Sequence, residues 1–223
     1  MDRARRRAHG GLSRATRRKV SIIMMTFVFW TAVGICLGCA FASFFEWTLH
    51  RFLMHRPLWR FRYPYERHAL IHHRIFKADH TYHLVNEQDK KTIPMAWWNG
   101  PVLITLSASP FLVIAILSRK WGLVCGAALA CMIYYAAYEY IHWCMHLPKK
   151  RYVERSGIFF RLNGHHLLHH RYMNRNFNVV CPLADLFLGT LLLRSKVCFK
   201  QATCSALPNV QPKTQPRPAV AVI

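Results

Sequence analysis

Three long stretches without a charged side chain limit what this chain can fold into. Residues 20–45 and 92–118 hold no Asp, Glu, Lys or Arg, and residues 121–138 hold none before Glu139. A helix crosses the roughly 30 Å hydrocarbon layer of a bilayer with about 20 apolar residues, so each run can span, the third by continuing through Trp143. A hydrophobic share of 53% fits a membrane protein better than a soluble fold. The fold class expected is all-α: an integral membrane helical protein with about three membrane-spanning helices and a histidine-rich metal-binding cap on one face.

A length of 223 residues bounds the chain to one domain, two at most. Residues 1–19 form a basic N-terminal segment, 20–200 the membrane domain, and 201–223 a tail expected to be disordered, with four prolines after Leu207. The first apolar run is longer than the 7–15 residues of a signal peptide's apolar region, so it reads as a retained anchor. Pro57 and Pro64 break the polar segment 56–91, Pro110 can kink the second run, and Arg119-Lys120 marks the turn between the second and third. The tryptophans and tyrosines at 59–65, 97–98 and 134–143 read as interfacial belts.

The formal charge of +22 is concentrated beside the apolar runs. That placement suits anionic lipid and excludes nucleic acid as the partner. Eight scattered cysteines, four of them within the runs (Cys36, Cys39, Cys125, Cys131), argue against a disulfide framework. Cys36 and Cys39 read as small residues at a helix interface.

Eleven of the fourteen histidines fall in four clusters: His50/His55, His68/His72/His73, His142/His146 and His165/His166/His169/His170. His142 and His146, four apart, share one helix face, as do His68 with His72 and His166 with His169 and His170. His50 and His55, five apart, diverge on an α-helix, so they serve different metals or lie where the helix distorts. With three spans, all four clusters fall on one side of the membrane. Lys and Arg number nine in 46–91 and twelve in 147–217, against eight in 1–19 and two at the hairpin turn. Positive-inside reasoning places the histidine face in the cytoplasm, although the basic N-terminus points the other way.

A catalytic zinc takes three protein ligands and a structural zinc four. Ten imidazoles therefore imply two metals with roughly five each: His50, His55, His68, His72, His73, His142, His146, His166, His169 and His170. Imidazole without cysteine suits Zn, Cu, Fe or Ni. The chain has no HExxH, no Gly-x-Ser-x-Gly and no phosphate-binding loop, which favours iron and oxygen chemistry. Glu46 lies four residues before His50 and Glu139 three before His142, where each can orient an imidazole by accepting its second N–H, or be a plain interfacial acid. His9 reads as a solvated side chain, and the roles of His80, His83 and His165 stay open. A non-catalytic metal-binding or transport protein is the competing class.

Glu46-Trp47-Thr48-Leu49-His50-Arg51-Phe52-Leu53-Met54-His55 resembles the first histidine box of the fatty acid hydroxylase/sterol desaturase superfamily. His68-x3-His72-His73, His142-x3-His146 and His166-x2-His169-His170 are similar to its other boxes. Asn176-Phe177-Asn178, Pro182-Leu183-Ala184-Asp185 and Gly189-Thr190 resemble its closing segment, with Asn178 where Gly is usual and Ala184 where Trp is usual. The resemblance covers about residues 43–194. It implies a membrane oxygenase with two iron ions, replaceable by zinc in isolated protein, and adds Asp185 as a residue that orients the ligands. The implied reaction hydroxylates a fatty acyl or ceramide-like lipid with O2 and two electrons from a separate donor (cytochrome b5-like, ferredoxin or reductase). A sterol or carotenoid hydroxylase or desaturase is the alternative. The implied location is the plasma or inner membrane of a bacterium, or the endoplasmic reticulum of a eukaryote.

Overall fold

The structure, a computed structural model, describes residues 14–193. The expected disordered tail and most of the basic N-terminal segment, with His9, lie outside the described residues. Five helices carry the fold: α1 (Arg14–Leu49), α2 (Asn99–Ser118), α3 (Trp121–His146), α4 (Gly157–Arg171) and α5 (Leu183–Phe187). No strand occurs among the described residues, only an isolated bridge between Leu58 and Phe61. Among the described residues, three helices are long and apolar enough to cross a membrane: α1 with its continuation to Met54, α2 and α3.

The second span begins at Asn99, later than the charge-free run that starts at residue 92. Pro94 disfavours helix at Ile93, and a short 3₁₀ helix, Glu87–Thr92, capped by the Asn86 side chain, precedes it. Pro110 lies inside α2 without ending it, and Arg119 closes the helix in the left-handed region at φ 58°.

Small residues set how α1 and α3 meet. A Cβ on Gly34 would lie 2.2 Å from the Leu123 carbonyl oxygen, and one on Gly126 would lie 2.0 Å from the Thr31 carbonyl oxygen. Gly38 packs on Ala127, and Gly122 packs on Phe27 and Thr31. The two glycine pairs, each four residues apart, let the backbones touch, the packing that drives helix association where lipid removes the hydrophobic contrast. Contacts advance in the same direction along both helices, so α1 and α3 run parallel and end on the same side. Cys36 and Cys39, expected at a helix interface, are instead exposed.

That shared end carries the cap. Ser156 starts α4 by accepting the Phe159 amide at 3.1 Å, a cap worth about 1 kcal/mol. The cap packs on α3 through Tyr82, Phe159, Leu162 and Val179 against Tyr138 and Met145.

Candidate metal centre

The ten histidines converge into two groups of five. His50, His55, His68, His73 and His169 form one; His72, His142, His146, His166 and His170 form the other, and within each the candidate nitrogens lie within 4.8 Å of one another. The groups adjoin, since the His73 and His170 rings are 4.2 Å apart.

Two π-helical turns explain the membership. After Leu49 the helix widens over His50–Met54, with the His55 amide bonded to the His50 carbonyl at 3.1 Å. On such a turn residues five apart share a face. A second π turn, Glu66–His72, places His68 and His73 with their Nε2 atoms 3.0 Å apart. The pairing of His68 with His72 expected from α-helical spacing is therefore replaced: His72 turns to the second group. On α4, His166 and His170 enter the second group and His169 the first, so that cluster is divided as well. His142 and His146 stay together, as their one-turn spacing requires.

Backbone carbonyls fix four of the rings. The Nδ1–H of His50 donates to Phe177 O, that of His146 to Tyr82 O at 2.8 Å, that of His169 to Arg175 O at 2.8 Å and that of His170 to Phe76 O at 2.5 Å. A neutral imidazole has one N–H, so each Nε2 of these rings carries a lone pair. Those lone pairs face other ring nitrogens: His146 and His170 both face His166 Nε2, at 3.2 and 3.0 Å. His169 Nε2 faces His55 and His73 at 3.1 and 3.2 Å, and His50 Nε2 faces His68 at 2.8 Å. His72 Nε2 and His142 Nε2 are buried with no partner among the described residues. Converging buried acceptors repel unless a cation lies between them, and a divalent transition metal fits this donor set.

Burial keeps the rings neutral and ready to bind. Outside the spans, His68, His72, His73, His166 and His170 are held well below their ordinary pKa by burial and then by neighbouring imidazoles. Burial and His169 lower His55 to about 3. Burial lowers His169 to about 4 despite its bond to the Arg175 carbonyl.

Two carboxylates hold the loop that supplies Phe177 O and Arg175 O. Asp185 accepts the amides of Phe177 and Asn178 at 2.9 and 2.8 Å, the Thr190 hydroxyl at 2.6 Å and His165 Nε2–H at 3.1 Å. Burial alone would raise its pKa, but these donors hold it below the ordinary value. Glu46 accepts Val179 N at 2.7 Å, Tyr134 OH at 2.6 Å and Asn178 Nδ2 at 3.1 Å. It does not bond His50 directly. Glu139 lies elsewhere: its carboxylate accepts the Met95 amide at 3.3 Å, pinning the lead-in to α2 rather than His142.

His165 therefore belongs to the loop clamp and not to either histidine group, and the exposed His80 and His83 lie outside both. Asn178, which stands where the family resemblance has Gly, is not left-handed; Asn176 is, at φ 54°. Its side chain bonds His165 O and Leu192 O. Tyr134 and Tyr138, expected in an interfacial belt, are buried between the spans.

An apolar cavity of about 190 Å³ reaches the centre, bounded by Met54, Val102, Leu106, His68, His72 and His142. A second space of about 60 Å³ continues between the spans beside Phe45, Ile104 and Tyr134. The two share Leu49, Met54, Met95, Leu103 and Tyr138 as a common wall. Comparison with known proteins returned no matching family model, no matching curated protein and no matching solved structure.

Proposed function

We propose that this protein is a membrane-bound di-iron oxygenase that hydroxylates a lipid C–H bond, of a fatty acyl or ceramide-like lipid, using O2 and two external electrons. The observation that carries the reading is the pair of five-imidazole groups at the end of an apolar cavity between three span-length helices. Ten imidazoles, with no carboxylate in either candidate group among the described residues, are a donor set that Fe(II) accepts and would hold one ion in each group of five. When bound, iron supplies the O2 activation that no side chain offers.

The chain's own residues do the rest. The carbonyls of Phe177, Arg175, Phe76 and Tyr82 fix ring orientation and tautomer, which strengthens each Nε2 as a ligand. Met54, Leu103 and Tyr138 line the route to His72 and His142 with apolar surface, which admits an alkyl chain and excludes water. A separate cleft, lined by Arg51, Arg56 and Arg74, borders the first histidine group at His55 and His73. It supports access by an external donor of the cytochrome b5, ferredoxin or reductase kind. Positive-inside reasoning supports a cytoplasmic cap, on the plasma or inner membrane of a bacterium or the endoplasmic reticulum of a eukaryote.

The test is lipid mass spectrometry on cells with the wild-type gene and with His142→Ala. A 16-dalton gain on acyl chains that disappears in the variant supports the reading. A 2-dalton loss marks a desaturase, and change confined to sterols or carotenoids moves the substrate to that class. Metal flux into liposomes with no lipid product marks a transporter instead.

A further inference from the structure

The cavity that reaches the centre is apolar along its depth and cationic at one point. Among the described residues, Arg67 is the only Lys or Arg on its wall, and no Asp or Glu lines it. Other arginines of the same segment are engaged: Arg62 pairs with Glu66 at 3.5 Å, and Arg60 lies 5.1 Å from the Trp59 ring centroid. The Arg67 side chain makes no hydrogen bond, ion pair or ring contact with any other described residue. It is exposed, whereas the inner space beyond the shared wall is bounded by the spans. The one carboxylate on that inner wall, Glu46, already accepts from Val179, Tyr134 and Asn178.

A cation at one end of an apolar slot fits one kind of occupant. We infer that Arg67 binds the anionic head, carboxylate or phosphate, of a single-chain amphiphile whose tail passes His68, His72 and His142 into the space between α1, α2 and α3. A guanidinium pairs with either anion through two parallel N–H···O bonds, a geometry a hydroxyl does not offer. Arg67 and His68 are adjacent in the chain, about 3.8 Å apart at Cα. Head and metal face are thus separated by no more than two side chains, which places the reacting carbon toward the head. The inference rests on the oxygenase reading and narrows it: an acid-headed lipid is favoured over neutral ceramide, sterol or carotenoid.

The test reads binding without turnover. Metal-loaded protein in neutral detergent, without donor, is titrated with palmitate, hexadecyl phosphate and hexadecanol at a pH where the carboxyl is ionised. At least one anion should bind about tenfold tighter than the alcohol, the difference expected for a charge-assisted pair. The anion that leads identifies the head. Arg67→Gln should remove the advantage at unchanged metal content, Arg67→Lys should keep part of it, and Arg62→Gln should leave it intact. Equal binding of all three amphiphiles, an advantage that survives Arg67→Gln, or one lost equally in Arg62→Gln would overturn the inference. Active enzyme without head preference sinks only this inference. Head preference in a protein that makes no oxidised lipid sinks only the oxygenase reading.

Discussion

Glu46 accepts a hydrogen bond from the backbone amide of Val179 at 2.7 Å, across 133 residues of sequence. Two residues before Val179, the Phe177 carbonyl receives the Nδ1–H of His50. Glu46 therefore acts on the His50 ring through the loop, not by touching it. Glu46→Gln keeps the shape but leaves one oxygen for three donors. We expect a loss of about 10–100-fold in metal affinity or turnover, as for other partners that orient a ligand. Metal titration of the variant checks this, and unchanged affinity would reduce Glu46 to a span-end acid.

His165 and His166 are neighbours with opposite duties. His165 bonds Asp185 Oδ2, whereas His166 Nε2 faces His146 and His170. His166→Ala should lose one metal. His165→Leu should retain both while lowering thermal stability by about 1–3 kcal/mol, the cost of leaving a buried acceptor short of a donor. Loss of a metal in the His165 variant would contradict the assignment.

The parallel pairing of α1 and α3 brings both histidine-bearing ends together. Gly126→Ala forces a methyl against the Thr31 carbonyl, where no flexible side chain can give way. Overpacking of this kind costs about 1–3 kcal/mol or more. The expected outcome is a lower melting temperature in detergent and reduced metal content, while Cys36→Ala, at an exposed position, changes neither.

Acid should destabilise the metal-free protein in a defined window. Burial holds His169 at about 4 and His55 at about 3, against about 6.5 in the unfolded chain. Between about pH 6.5 and 4 the unfolded chain binds more protons than the folded one, so stability falls as pH falls. Above pH 6.5 these rings are neutral in both states and contribute no slope. Chelated protein should show a flat melting temperature from pH 8 to about 6.5 and a decline below. Metal-loaded protein should fall in the same direction, because protons and metal compete for the same nitrogens. A flat profile down to pH 5 would contradict the burial seen here.

The spans were legible because charge-free runs have one use in a chain this apolar, and His142 and His146 because an uninterrupted helix fixes one-turn neighbours. The partition of His68, His72 and His73 was not legible. A π turn leaves no mark in the side-chain pattern, and adding one residue per turn sends His72 and His73 to different groups. Glu46 looked local to His50, but tertiary packing gave it a distant partner. Aromatic residues favour the interfacial zone, yet the spacing of Tyr134 and Tyr138 turns both toward the bundle interior. The carbonyls that orient the rings belong to residues whose side chains carry no signal for that role. The sequence does carry a signal for the α1–α3 contact: Gly34/Gly38 and Gly122/Gly126 are two small-residue pairs at four-residue spacing.

The most direct test is metal stoichiometry by mass spectrometry on protein purified without chelator and reloaded anaerobically with Fe(II). Two ions per chain are expected in the wild type, and one in each of His50→Ala and His142→Ala, because these rings belong to different groups. One ion or none in the wild type, or loss of both from either variant alone with the fold intact, would contradict two separate five-imidazole sites.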